Sequence, residues 1–178
     1  MEERDDEQIV RRVMAGETDA YAALVERYQK PVYNVALRML QDRDDAEDAA
    51  QAAFVKAYEG LGSFDFRYRF FSWLYRIAVN EALNALRRKK NLEPLDQNLR
   101  EPEGGSGEEL AERIQDSLME LTVDQRAVIV LRHFQDLSYD EIAEVLEISV
   151  KKVKSRLFSA RAILRGVLER KGLREYAG

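Results

Sequence analysis

Three clusters of side chains carry residue types that bind, and none of them is a catalytic constellation. The first lies between Ser149 and Arg165. Val150, Val153, Leu157, Ala160 and Leu164 recur at helical spacing and form an apolar stripe. At about 100° per residue the opposite side carries Lys151, Ser155, Phe158 and Ser159, flanked by Lys152, Lys154 and Arg165. That set suits the major groove of a duplex. Lysines neutralise phosphate or read guanine, hydroxyls bond to base edges, and an apolar ring meets a thymine methyl. The alternative is an ordinary helical hairpin with Phe158 buried in an interface.

The second cluster lies on a helix expected over residues 70–89. Phe71, Leu74, Tyr75, Ala78, Ala82, Ala85 and Leu86 form its inward side. Trp73, Arg76, Asn80, Asn84 and Arg87 gather on the other side, within about 80° of arc. Trp stacks on a base, Asn reads a base edge and Arg holds phosphate. The preceding loop, residues 63–69, interleaves Phe64, Phe66 and Tyr68 with Arg67 and Arg69. Such a mixture suits unpaired bases. From the residues alone Phe64 and Phe70 read as core, whereas Trp73 with Asn80 reads as a nucleic-acid face. The third cluster is on a helix from about Asp44 to Leu61. It buries Ala46, Ala49, Ala50, Ala53 and Ala57 and shows Asp48, Gln51 and Val55, with Asp45 and Phe54 at the borders. A solvated face or a protein-docking surface fits it equally.

Local signals place the elements that hold these faces. Ser138 with Glu141 predicts a capping box for a short helix over 138–146. Glu147-Ile148-Ser149 then forms a turn, and Ser149 caps the next helix, 150–171. The small Ala143 permits a close helix crossing, which completes a helix-turn-helix. Glu147 takes the turn position where glycine is common, at a cost of roughly 1–2 kcal/mol for a left-handed residue. Upstream, helices are expected over 109–120 and 122–133. In the first half, Asp6 caps a short helix that Gly16 ends. A second runs over 18–40, with Pro31 expected to kink or split it, and Asp44 with Glu47 starts the third. Residues 91–109 lack periodicity and hold Pro94, Pro102 and Gly104-Gly105-Ser106-Gly107. The chain is therefore expected to be all-α, with two small helical domains, 1–90 and 109–178, joined by a flexible acidic linker at 91–108.

Composition narrows the classes. The chain has 178 residues and 46% are hydrophobic, which suffices for a core. It has no cysteine and one histidine, His133, so no disulfide, thiolate metal site or cysteine nucleophile is expected. No cofactor, metal or enzymatic triad is indicated. The N-terminus is acidic rather than signal-like and no apolar run spans a membrane, which predicts a cytoplasmic protein. The net charge of −5 argues against nucleic acid, but its distribution does not. Residues 64–90 hold seven Lys/Arg against two acids, and residues 149–171 hold eight against one. Two basic segments separated by acidic ones suggest two surfaces facing a polyanion.

Taken in order, Asp45-Ala-Glu-Asp-Ala-Ala-Gln-Ala-Ala-Phe54, then Phe70-Phe-Ser-Trp-Leu-Tyr-Arg-Ile-Ala-Val-Asn80, then Leu137-Ser-Tyr-Asp-Glu-Ile-Ala143 with Val153-Lys-Ser-Arg-Leu-Phe-Ser-Ala-Arg161 resemble bacterial sigma factors of the extracytoplasmic-function (ECF) group. The resemblance covers nearly the whole chain. It implies that residues 1–90 are sigma region 2, which melts and reads the minus-ten promoter element, and that residues 109–178 are region 4, which reads the minus-thirty-five element. Both would dock on core RNA polymerase, at the β′ clamp and the β flap, and an anti-sigma factor would hold the protein until a stress or envelope signal. Carried over, Asp45, Asp48, Gln51 and Phe54 resemble the clamp-binding set. Phe64, Arg67, Tyr68, Arg69, Trp73, Arg76, Asn80, Asn84 and Arg87 resemble the minus-ten set. Ser138, Lys151, Lys152, Lys154, Ser155, Phe158 and Arg161 resemble the minus-thirty-five set. The chain departs from the family pattern at Ala52, Lys151-Lys152 and Ser159, and in the aromatic content of its loop. The competing reading is a self-contained helix-turn-helix regulator with an N-terminal dimerisation domain.

Overall fold

The computed structural model describes residues 2–92 and 106–173. Most of the expected linker falls outside these residues. Its two ends are helical, because one helix reaches Leu92 and the next begins at Ser106. Among the described residues every regular element is helical, as expected. They are α1 (Glu2–Met14), α2 (Tyr21–Leu40), α3 (Arg43–Gly60), α4 (Phe70–Leu92), α5 (Ser106–Met119), α6 (Val123–Ile129), α7 (Tyr139–Leu146) and α8 (Val150–Arg170). Short 3-10 turns occupy Thr18–Ala20 and Leu61–Ser63, and α6 widens into a π-helical turn over Val130–Phe134.

α2, α3 and α4 pack on one another as the first unit. The five alanines expected on the inner side of α3 are all buried, and their small side chains let α2 and α4 approach closely. α6, α7 and α8 pack as the second. Three sequence expectations are corrected. Asp6 does not cap α1, which starts at Glu2. Its carboxylate is 2% exposed and accepts from Arg27 and Tyr28 of α2, where burial pushes its pKa up against the opposing pull of those two donors. Asp42, not Asp44, caps α3, accepting from the amides of Asp44 (3.0 Å) and Asp45 (3.1 Å). Pro31 does not split α2, which runs through it as one helix.

The two units share one continuous apolar core, and polar side chains tie them. A helix leaves its last four carbonyls without partners. At the end of α2 the Gln41 amide takes Leu37 O (2.8 Å), and the second unit adds donors to Leu37, Arg38 and Met39. Gln115 Nε2 donates to Leu37 O (3.4 Å) and Arg38 O (3.1 Å), and Arg126 Nη1 donates to Met39 O (2.5 Å). Arg38 in turn lies over the Phe134 ring, 3.7 Å from its centroid.

Candidate nucleic-acid interface

The helix-turn-helix forms as its residues dictate. Ser138 Oγ accepts from the Glu141 amide (3.2 Å), and the Glu141 carboxylate accepts from the Ser138 amide (2.7 Å). Glu147 ends α7 in the left-handed region, with φ 53° and ψ 42°. Ile148 N then reaches back to Ala143 O at 3.1 Å, and Ser149 Oγ accepts from the Lys152 amide at 3.2 Å to start α8. Ser138→Ala removes one side-chain cap and should cost about 1 kcal/mol, read as a fall of roughly 2–4 °C in melting temperature.

α8 divides as expected. Val153, Leu157 and Ala160 are buried, while Lys151, Lys152, Lys154, Ser155 and Arg161 are exposed. Phe158 is 79% exposed, the highest value among the large exposed apolar side chains. Among the described residues nothing covers that ring, so only a partner, whether DNA or another protein surface, would bury it. Ser159 departs from the outward set. Its hydroxyl accepts from Gln125 Nε2 (3.2 Å) and donates to Arg156 O (3.0 Å), so it faces α6. Arg156, half-buried, is tied to Asp124.

At the far end of this face Arg161 Nε donates to His133 Nε2 (3.3 Å). That bond requires the His133 tautomer with its proton on Nδ1. Partial burial and the neighbouring Arg161 and Arg132 hold the imidazole pKa below its usual value. Because the folded pKa is depressed, the unfolded chain binds this proton first as pH falls. The contribution is therefore present at pH 7 and lost below about 6.5. His133 is the only histidine, so its ring resonance is unambiguous. Its midpoint should lie below that of a free imidazole and rise in Arg161→Ala.

α4 presents the second face, with one change to the sequence reading. Asn80 and Arg87 are exposed, and Arg76 and Asn84 are half-buried. Trp73 is half-buried and belongs to an aromatic cluster, with ring centroids 5.2 Å from Phe64 and 5.9 Å from Phe70. Its indole rests on Gly60, where an added Cβ would come within 3.2 Å of it. Phe64 is buried in the core, which removes it from the groups that could touch a base and gives it the role of a support for Trp73. In the loop, Arg67 clamps the Asp65 carboxylate with its guanidinium (2.6–3.0 Å) and its amide, and holds that carboxyl below the usual range. Tyr68 is exposed. Arg67, Tyr68, Arg69 and Phe71 line a cleft whose far wall is Asp6 and Glu7 of α1. That acidic wall has no local signature, since it depends on packing between distant segments.

On α3, Asp48 and Gln51 are exposed and Asp45 and Phe54 half-buried. Val55 is 57% exposed, as its place in the helical period suggests, and Tyr58 beside it is 42% exposed against Tyr21. Tyr58 went unnoticed in the sequence, although it stands three residues after Val55 on the same face. Among the described residues no group of three His, Cys, Asp or Glu could hold a metal, and no helix is long and apolar enough to cross a membrane.

These faces lie within two family-model matches, Sigma-70 region 2 over residues 24–92 and Sigma-70, region 4 over residues 111–164. Among curated relatives, the ECF RNA polymerase sigma factor SigW of Bacillus subtilis is 36% identical over 88% of this chain and 92% of that protein. The ECF RNA polymerase sigma-E factor of Escherichia coli is 37% identical over 90% and 92%. In structure, CnrH, solved in complex with the cytosolic domain of CnrY, superposes with a TM-score of 0.75 and 28% identity, over 91% of this chain and 96% of that one. The sigma factor RpoE of Bartonella quintana, solved with the anti-sigma factor NepR, shares the fold at a TM-score of 0.70 and 22% identity, over 84% and 96%. Two region matches in order and relatives above 30% identity over most of both chains place this protein in the ECF family of RNA polymerase sigma factors.

Proposed function

We propose that this sigma factor directs core RNA polymerase to a stress or envelope regulon by reading two promoter elements with two separate faces. α4 and its preceding loop take the opened minus-ten element, through Trp73, Arg76, Asn80, Asn84 and Arg87 with Arg67, Tyr68 and Arg69. The α8 face takes the minus-thirty-five element, through Lys151, Lys152, Lys154, Ser155, Phe158 and Arg161, with Ser138 at the start of α7. Asp45, Asp48, Gln51 and Phe54 dock on the β′ clamp, and residues 109–178 on the β flap. The domains are residues 1–90 and 109–178, and residues 91–108 link them. The protein acts in the cytoplasm, carries no catalytic chemistry or cofactor, and is held by an anti-sigma factor.

The exposed Phe158 among lysines and hydroxyls carries this reading furthest, because folding gives no reason to leave that ring in water. Phe158→Ala should leave stability within about 0.5 kcal/mol. It should weaken minus-thirty-five binding by about tenfold at particular bases, the loss of an apolar contact of about 1.5 kcal/mol. Equal losses on every sequence would make Phe158 a non-specific contact instead. The whole reading is tested by adding purified core polymerase and selecting promoters from a genomic library. Open complexes on a selected set are expected. Their absence on every promoter would sink it, and stable dimers binding a palindrome without polymerase would favour the self-contained regulator.

A further inference from the structure

His133 stands beside the α8 face without belonging to it. It lies in the π-helical turn that widens the end of α6, a feature frequent at functional sites. Its ring is partly exposed, and Nε2 accepts from Arg161 Nε at 3.3 Å. The neighbouring Arg132 is anchored by Nη1 to Leu137 O (2.9 Å), and it lies 5.5 Å from the Tyr139 ring centroid. Among the described residues, the charged groups acting on the imidazole are Arg132 in its own turn, Arg161 on α8 and Asp136 in the loop that follows. Two guanidinium groups thus oppose a single carboxylate, and the free ring stays neutral at pH 7.

The two protonation states of this ring do different things. The neutral ring offers one lone pair, which Arg161 takes through Nε alone. That bond orients the guanidinium at the end of the α8 face and leaves both its Nη groups available. The protonated ring has no lone pair and donates from both nitrogens. Its charge beside Arg161 and Arg132 is unfavourable until an anion arrives. A duplex supplies that anion along its whole length, with one phosphate charge per roughly 1.7 Å of axis.

We propose that His133 is a phosphate contact of the minus-thirty-five interface: neutral in the free protein, where it orients Arg161, and protonated on the duplex, where the imidazolium joins Arg161 on the backbone phosphates. This rests on the assignment of the α8 face to duplex DNA. Because the duplex stabilises the bound proton, the imidazole pKa is higher in the complex than in the free chain. The added affinity is therefore complete below the free-state pKa and is lost as pH rises through the pKa of the complex.

Phe158 and Arg161 are exposed in the free chain, so the full-length protein can be titrated directly with a short duplex carrying a selected minus-thirty-five element. Fluorescence anisotropy reads binding for the parent, His133→Gln and His133→Lys from about pH 8 to about pH 5.5, a window that brackets an ordinary imidazole. Glutamine keeps a neutral acceptor for Arg161, and lysine keeps a charge at every pH. The ratio of parent to glutamine affinity cancels the titrating groups that the two share. It should rise about tenfold as pH falls, the effect of a pKa raised by about one unit on the duplex. The lysine variant should hold its advantage over glutamine throughout. In the parent, the slope of log affinity against log salt should also steepen by about 0.9 between the two pH limits, because one more phosphate is neutralised. The glutamine slope should not change.

A ratio that stays flat, or that declines as pH falls, overturns the contact and leaves His133 as a structural tie for Arg161. A rising ratio with an unchanged salt slope overturns phosphate as the ligand. Failure of the α8 assignment looks different: Arg161→Ala and Phe158→Ala would then bind the duplex as the parent does at every pH, and the His133 contact would fall with it.

Discussion

Arg126→Met should lower the melting temperature of the full chain by roughly 10 °C. The guanidinium is 5% exposed, and every partner the structure gives it is a backbone carbonyl. Nε donates to Leu118 O (3.1 Å), Nη2 to Met119 O and Leu121 O (3.3 Å each), and Nη1 to Met39 O (2.5 Å). Three of these carbonyls lie in the last turns of α5 and α2. One side chain therefore caps two helices, one from each unit, and its charge meets the negative ends of both helix dipoles. Burial pulls its pKa down, and a guanidinium is always charged in proteins. Methionine fills the volume and leaves the carbonyls bare. A hydrogen bond to a charged donor is worth about 1.5–3 kcal/mol, and several lost together but not additively give about 3–4 kcal/mol. At roughly 2–4 °C per kcal/mol for this size, that is the stated shift. Calorimetry checks it, with Arg126→Lys expected to fall between, since an ammonium reaches fewer carbonyls. A shift under about 3 °C for Met would mean that water takes over these carbonyls.

Trp73→Ala should cost about 2–3 kcal/mol, less than a fully buried Trp because one side of the ring is open. The loss falls on Phe64, Phe70 and the surface above Gly60. Within a total stability of about 5–15 kcal/mol the protein stays folded. Docking on polymerase through α3 should therefore survive while promoter opening falls, because the stacking surface is gone. Trp73→Phe should restore most of the packing and part of the opening. A matching loss of polymerase binding in the alanine variant would show that Trp73 acts only as a support.

Much of this fold could be read from local signals. The alanine spacing of α3, the Ser138/Glu141 box and the Ser149 cap each act within one or two helical turns, and each formed as expected. The left-handed Glu147 was visible for the same reason. What could not be read depends on residues far apart in the chain. Asp6 reads locally as a cap, but its partners Arg27 and Tyr28 lie more than twenty residues away. Trp73 sits opposite the main core on the helical wheel, but the end of α3 and the loop fold over that side. Val79 and Leu83 widen the apolar arc of α4, and that extra width receives α7. Gln115, Gln135 and Arg126 join the units as single polar residues with no periodic signature.

The two-face account is tested most directly in one open complex. A photoreactive amino acid is placed at Asn80 in one preparation and at Ser155 in another, and each holoenzyme is assembled on the same selected promoter. Crosslinks from position 80 should map to the unpaired minus-ten strand, and those from position 155 to the duplex minus-thirty-five element, roughly 25 base pairs upstream. Crosslinks from both positions to one element, or from neither to DNA, would contradict the account.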